Sequence, residues 1–244
     1  MQGAALSVVI PAFNEAGYLP DTLGHLARAM AEFDSSGRGE VEVLVVDNAS
    51  TDATAEVAEK LGATVVDQPV PGIGLTRNTG AVRATAPVIL FLDADTQVPA
   101  DTLVELARTL EDPDCIGGAF ATDYRPKKRL LRPYMAFWRW FAGRFNMTQG
   151  IAQFCTAEAF AEVGGYDVDR RMAEDTHFYW ALRRLARRRG KRLHVITEVL
   201  VVPSCRRIDQ WPVWKTILMT NPIVTRMRPN SDRLWKGWRK DSPR

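Results

Sequence analysis

The chain has 244 residues, 46% hydrophobic and 25% charged, which suits a globular protein of one large α/β domain or two small ones. A formal net charge of +3 is too small to imply nucleic acid by itself, although basic residues crowd the second half. No apolar stretch approaches the roughly 20 residues that span a bilayer, and the strand-like run soon after Met1 reads as a chain without a signal peptide.

The first half alternates strand and helix signals. Leu6 to Ile10 reads as a strand ending at Pro11. Tyr18 to Met30 carries Leu19, Leu23 and Leu26 at helical spacing. A polar loop, Asp34 to Gly39, leads to a second buried strand, Val41 to Val46. Ser50 or Thr51 can cap a helix running to Leu61, before a third strand at Ala63 to Val66. Gly72 to Gly74 open a loop into a helix through Ala84, and Val88 to Leu92 is a fourth strand. Such a series predicts a largely parallel sheet covered on both faces. The second half is less regular. Ile116 to Thr122 reads as a strand, and Pro133 to Phe145 as an aromatic, basic helix. Gly164 to Asp167 reads as a turn, Glu174 to Arg189 as a basic helix, and Leu193 to Val202 as one or two strands. Cys115, Cys155 and Cys205 follow no metal-ligand spacing and read as reduced, buried thiols of a cytosolic protein.

Asp93-Ala94-Asp95 directly follows the fourth strand, where ligands of a parallel α/β sheet collect. Two carboxylates at such an edge repel each other and resist desolvation unless a cation joins them. Their hard oxygens suit Mg²⁺ or Mn²⁺, which bind phosphate oxygens in turn. An Asp-x-Asp pair can also simply cap a helix. Three further segments fall at strand ends: Pro11 to Glu15, Asp47 to Asp52, and Gly72 to Asn78. A parallel sheet places all four on one rim.

In these segments the chain closely resembles the family 2 glycosyltransferases, which have the GT-A fold. The resemblance rests on Val8 to Glu15, Val45 to Asp52, Arg77 to Gly80, Phe91 to Thr96, Val163 to Asp167 and Glu174-Asp175. Ser204-Cys205-Arg206-Arg207 is similar to a Ser-x-Arg-Arg pattern of some members. The implied fold is α/β: a Rossmann-like, mostly parallel central sheet flanked by helices, with a smaller acceptor-side region. Residues 1–225 would form one domain, with a nucleotide-sugar half (1–97) and an acceptor half (98–225), followed by a basic Trp-containing tail (226–244).

The resemblance implies a donor sugar on uridine or guanosine diphosphate. Pro11, Phe13 and Glu15 would border the nucleoside, and Asp47 would accept from base or ribose. Gly72 and Gly74 let backbone approach a ligand closely. Arg77 would pair with the diphosphate, Asp93 would lie near the ribose, and Asp95 would hold Mg²⁺ or Mn²⁺. Asp175 would be the catalytic base, with Glu174 in support, and the sugar would be transferred with inversion. Against these stand plainer readings: Asp47 and Asp52 as turn and cap residues, Arg77 as a surface residue, and Glu174-Asp175 as complements to a helix dipole. His177 is nearby, and a structural role is favoured for it over metal ligation.

The stretch Arg125 to Tyr134 sets basic residues before Phe137-Trp138-Arg139-Trp140-Phe141. This composition suits a membrane interface and a lipid-linked acceptor, or else an acceptor-side lid, a core-packing helix or a dimer contact. The acidic rim argues against nucleic acid. The expected location is the cytoplasm, at the inner face of the membrane. A sugar nucleotidyltransferase is disfavoured because Pro11 to Glu15 replaces the glycine-rich basic segment such an enzyme needs after its first strand. An inactive sugar-nucleotide binder or membrane scaffold is the remaining alternative.

Overall fold

A computed structural model describes residues 4–145, 150–170 and 173–220. Its strands are β1 (Leu6–Ala12), β2 (Val41–Asp47), β3 (Thr64–Asp67), β4 (Val88–Leu92), β5 (Thr96–Gln97), β6 (Cys115–Thr122), β7 (Ala152–Thr156) and β8 (Arg192–Pro203). The helices are α1 (Leu19–Ser35), α2 (Thr54–Lys60), α3 (Ile73–Arg83), α4 (Thr102–Leu110), α5 (Arg132–Phe145), α6 (Ala157–Val163), α7 (Glu174–Arg189), α8 (Arg206–Gln210) and α9 (Val213–Met219).

The strands form one sheet in the order β3-β2-β1-β4-β7-β6-β8-β5. β3, β2, β1 and β4 pair in parallel. Their crossovers run through helices, as parallel pairing requires. β7 then runs antiparallel between β4 and β6, while β6 and β8 are parallel again. All four parallel strands therefore end on the same rim.

Alternate residues of β1 face opposite layers, following the period of two of a strand. Val8 and Ile10 join Leu19, Leu23 and Leu26 of α1 and Leu103 and Leu106 of α4. Val9 joins Val46, Phe91 and, from α7, Phe178, Leu182 and Leu185. α3 lies tight on the sheet at Gly80, where a Cβ would overlap the Val9 side chain and come within 2.9 Å of Val46. That close approach brings the helix carrying Arg77 down to the strand ends. Cys115, Cys155 and Cys205 are buried free thiols, as read from their spacing.

One local expectation changes, and one open reading is settled. Helix α2 starts at Thr54, with no side-chain cap at Ala53. Ser50 instead accepts a hydrogen bond from the Asn14 backbone at 2.9 Å, so its hydroxyl joins two loops rather than opening the helix. The region from Leu193 to Val202 is a single long strand, β8. The tail 226–244 lies outside the described residues.

Candidate active site on the carboxyl rim

The loops after β1, β2 and β3 are laced together by short polar side chains. Asn14 Oδ1 accepts from Thr51 N at 2.7 Å, and Glu15 N donates to Thr54 Oγ1 at 2.8 Å. Asn48 donates to the carbonyls of Gln68 and Val70 and accepts from Gly72 N at 2.9 Å. Among the described residues, the non-glycine positions at positive φ are Asn14, Ala49 and Ala173. The first two lie in these laced loops, and Ala173 precedes the carboxylates that open α7. Such strain concentrates where a backbone is held for function.

Two arginines each gather two carboxylates. Arg77 donates from Nη1 to Glu174 Oε1 and from Nη2 to Asp93 Oδ1, both at 2.8 Å, with its side chain only 4% exposed. Its guanidinium lies 5.2 Å from the Tyr166 ring centroid. Arg206, on α8, donates from both terminal nitrogens to Glu15, one bond measuring 2.9 Å, and lies over the Tyr18 ring. Arg206 Nε is 3.3 Å from Asp95 Oδ2, yet makes no hydrogen bond. Asp95 is thus neutralised by proximity while keeping lone pairs for a further cation.

Burial raises the proton affinity of these acids more than their arginines lower it. Asp93 is pushed up to about 6 by burial, against the pull of Arg77 and with Asp95 and Asp175 adding to the rise. Asp95 also moves up, first through burial and then through Glu15, with Arg206 opposing. Glu174 rises to about 7 through burial and the neighbouring Asp175, with Arg77 opposing. Its stabilising effect is therefore complete below pH 4.5 and lost as pH rises through 7. Glu174→Gln keeps an acceptor for Arg77 and removes this titration. The melting temperature of that variant, relative to the parent, is expected to climb by roughly a few degrees across this window. A difference that stays flat in a pH series of thermal melts would refute it.

Asp175 is held by backbone donors. Its Oδ2 accepts from Gly150 N at 2.9 Å and its Oδ1 from Thr176 N at 2.6 Å. A Cβ at Gly150 would overlap the Asp175 side chain, so only glycine fits there. Behind it, the fully buried Gln153 donates to the Asp175 carbonyl at 3.2 Å and accepts from Tyr166 OH at 3.2 Å. Asn78 fastens the turn around Tyr166 to α3 through two bonds of 2.8 and 2.9 Å.

The structure therefore brings Asp93, Asp95, Arg77, Glu174, Asp175 and Glu15 into one charged neighbourhood. Asp47 ends β2 beside Ala12, and its Oδ1 accepts from Ser50 N at 3.3 Å. Pro11 is buried, while Phe13 is half-exposed. Arg77 differs from expectation: both terminal nitrogens are committed to carboxylates, and it sits in the body of α3 rather than at its anion-attracting first turn. Gly74 closes on the chain's own Asp167 carbonyl, which a Cβ would meet at 3.2 Å. His177 Nδ1 lies 4.0 Å from Asp167 Oδ2. Among the described residues, no three His, Cys, Asp or Glu side chains gather into a metal cage.

Four neighbours of the site were absent from the sequence assignments. Tyr124 is held protonated chiefly by burial, with Asp93 and Asp95 adding to it. Gly150 and Gln153 meet Asp175 only through the tertiary fold. Arg206 alone had a signal, the Ser-x-Arg-Arg pattern.

A parallel nucleotide-type half and an acidic rim completed from the second half together define a GT-A-type domain. The family model described as glycosyl transferase family 2 matches residues 7–164, and the chain belongs to that family. An uncharacterized glycosyltransferase of Mycobacterium tuberculosis is 38% identical over 111 residues, 46% of each chain. An undecaprenyl-phosphate 4-deoxy-4-formamido-L-arabinose transferase of Pseudomonas fluorescens is 33% identical over 114 residues, 43% of this chain and 32% of that protein. The chain thus spans less than half the length of these curated relatives. In fold it is similar to a mannosyltransferase from Pyrobaculum calidifontis in complex with GDP-Man and Mn²⁺, with a TM-score of 0.67 at 22% identity, covering 88% of this chain and 61% of that one. It is also similar to the M. tuberculosis glucosyl-3-phosphoglycerate synthase bound to Mn²⁺ and UDP, with a TM-score of 0.61 at 18% identity, covering 93% and 79%.

Proposed function

We propose that this chain is a metal-dependent, inverting glycosyltransferase that moves a sugar from a nucleoside diphosphate to an acceptor hydroxyl or phosphate. The observation that carries the reading is the Arg77 bridge, which ties Asp93 of the strand rim to Glu174 beside Asp175. Residues 1–97 supply the donor side and residues 98–225 the acceptor side. Pro11, Phe13 and Glu15 border the nucleoside, and Asp47 accepts from base or ribose. Arg77 positions Asp93 and Glu174 instead of touching the diphosphate.

Asp95 fits Mg²⁺ or Mn²⁺: it is a partly buried hard-oxygen donor, and Arg206 Nε lies 3.3 Å from it without hydrogen-bond geometry. One protein carboxylate suits an ion otherwise held by diphosphate oxygens and water, and such an ion would steady charge on the departing diphosphate. For a hydroxyl acceptor, Asp175, held by backbone N–H groups, takes the proton while the acceptor oxygen bonds to the anomeric carbon from the face opposite the leaving diphosphate; an ionised phosphate acceptor attacks without that transfer. Arg206, beside Asp95 and Glu15, keeps that acidic corner balanced.

The donor is a UDP- or GDP-linked sugar, as bound in the structural relatives. A lipid-linked acceptor at the cytoplasmic face of a membrane is the acceptor class we favour, in line with the undecaprenyl-phosphate named for one sequence relative. At a hundred times its dissociation constant, the preferred donor with Mn²⁺ should stabilise by about 2.7 kcal/mol, or roughly 5–10 °C. Asp95→Ala is expected to abolish that shift in a thermal panel of nucleoside diphosphate sugars. An undiminished Mn²⁺-dependent shift in the variant would remove Asp95 from the metal site.

A further inference from the structure

Two helices, α5 and α9, turn apolar side chains outward. On α5, Phe137 and Trp140 are 50% and 61% exposed, and the preceding turn leaves Leu130 80% exposed. On α9, Trp214, Ile217 and Leu218 are 67%, 40% and 39% exposed. Within each helix these residues are spaced three or four apart, so each carries an outward apolar stripe where a soluble helix would be polar. The inner faces are already satisfied, with Leu131 and Met135 packing on Cys205, Ile208 and Val213. The helices adjoin, since Tyr134 OH donates to the Ile217 carbonyl at 3.3 Å and meets Thr220 Oγ1 at 3.0 Å.

The charge around this face is mainly positive, with Asp209, which accepts from Lys127 N at 2.8 Å, as an acid beside it. From Arg125 to Phe145 there are seven Lys and Arg and no Asp or Glu, and residues 211–220 hold no acid either. The nearby Asp123 is taken up by Arg125 and Arg139, each at 2.8 Å. Lys127, Arg129 and Arg132 remain exposed.

We propose that α5 and α9 form a docking face for an anionic lipid surface. Tryptophan and aliphatic side chains enter the headgroup boundary while the surrounding Lys and Arg meet lipid phosphates. Nucleic acid would engage the cations and aromatics but gains nothing from Leu130, Ile217 and Leu218. No described helix is long and apolar enough to cross a membrane, so contact is confined to the surface. The packed cluster under the face includes Cys205, which precedes α8, and Ile208 within it, and α8 is the helix that delivers Arg206 to Asp95. Docking thus sets the acidic rim beside the headgroups, where a lipid-linked acceptor enters; that last consequence rests on the glycosyl-transfer reading, whereas the docking does not.

The test is co-flotation of the full chain with phosphatidylcholine vesicles with and without phosphatidylglycerol at low salt. The expected result is binding only when phosphatidylglycerol is present, reversed by added salt. Phe137→Ser/Trp140→Ser and, separately, Lys127→Glu/Arg129→Glu/Arg132→Glu should each cut partitioning about tenfold or more. Both should keep the Mn²⁺-dependent donor shift. Trp214→Ser and quenching of tryptophan fluorescence by brominated lipid provide the same readout if the first pair does not fold. The proposal is overturned if the parent stays unbound, or if the charge and aromatic variants float like the parent. It is also overturned if the parent binds single-stranded RNA but not vesicles, or if the face proves to hold a dimer that Phe137→Ser/Trp140→Ser dissolves. Loss of the donor shift with vesicle binding intact would count against the transfer reading alone.

Discussion

Asp175→Asn is expected to lower transfer by about 10²–10⁴-fold while donor affinity stays near that of the parent protein. The amide is nearly isosteric, and its one oxygen can still accept from Gly150 N at the expense of the bond from Thr176 N. What disappears is the capacity to take a proton from the acceptor. The loops after β1, β2 and β3, which we assign to the donor, are laced without Asp175. Nucleoside diphosphate release with an acceptor panel reads the chemistry, and the thermal shift with Mn²⁺ and donor reads binding. Turnover within a few-fold of the parent would assign the base to another group.

Arg77→Met is expected to be the most destabilising single change at the site. Methionine approximates the length of the stem but leaves Asp93 and Glu174 facing each other without a counter-charge. Breaking a buried pair from one side costs about 3–5 kcal/mol, which for a chain of this size is roughly 6–20 °C in melting temperature. The loss should shrink in acid. Burial already lifts Asp93 to about 6 and Glu174 to about 7, and without Arg77 both rise further. Once protonated they need no cation, so the gap between variant and parent should be smaller near pH 5 than near pH 8. A gap of the same size at both pH values in calorimetry would argue that Arg77 acts through packing on Tyr166 instead.

The parallel half of the fold was legible because its strands are short apolar runs between turn residues. Helix α7 matched to the residue at both ends. Phe178, Tyr179, Leu182 and Leu185 fix its buried stripe, and Gly190 ends it in the left-handed conformation. β7 was missed because Ala152 to Thr156 is short and contains Gln153, a polar residue that lies in a central strand only because Tyr166 and the Asp175 carbonyl satisfy it. β5 has two residues and exists through its pairing with β8.

The site divides along the same line. Asp93, Asp95 and Asp175 stand at element ends that periodicity alone can locate. Which charge answers which cannot be read that way. Arg77 looked free to meet an anion, and its two carboxylates come from opposite ends of the sequence pattern. Gly74 was a ligand-approach candidate, but its close neighbour is Asp167. Tyr124 and Gly150 reach the site from segments that carry no periodic or motif signal of their own.

The Glu15–Arg206 pair spans 191 positions of the chain. A ribosome can release β1 to β4 and their loops early, and those strands can already associate, but the corner around Glu15 and Asp95 then holds only mutually repelling charge. It becomes electrically quiet when α8 emerges, well past the segment by which the family is recognised. A nascent chain cut short before α8 would carry the fold's signature without Arg206 to answer Glu15 and Asp95.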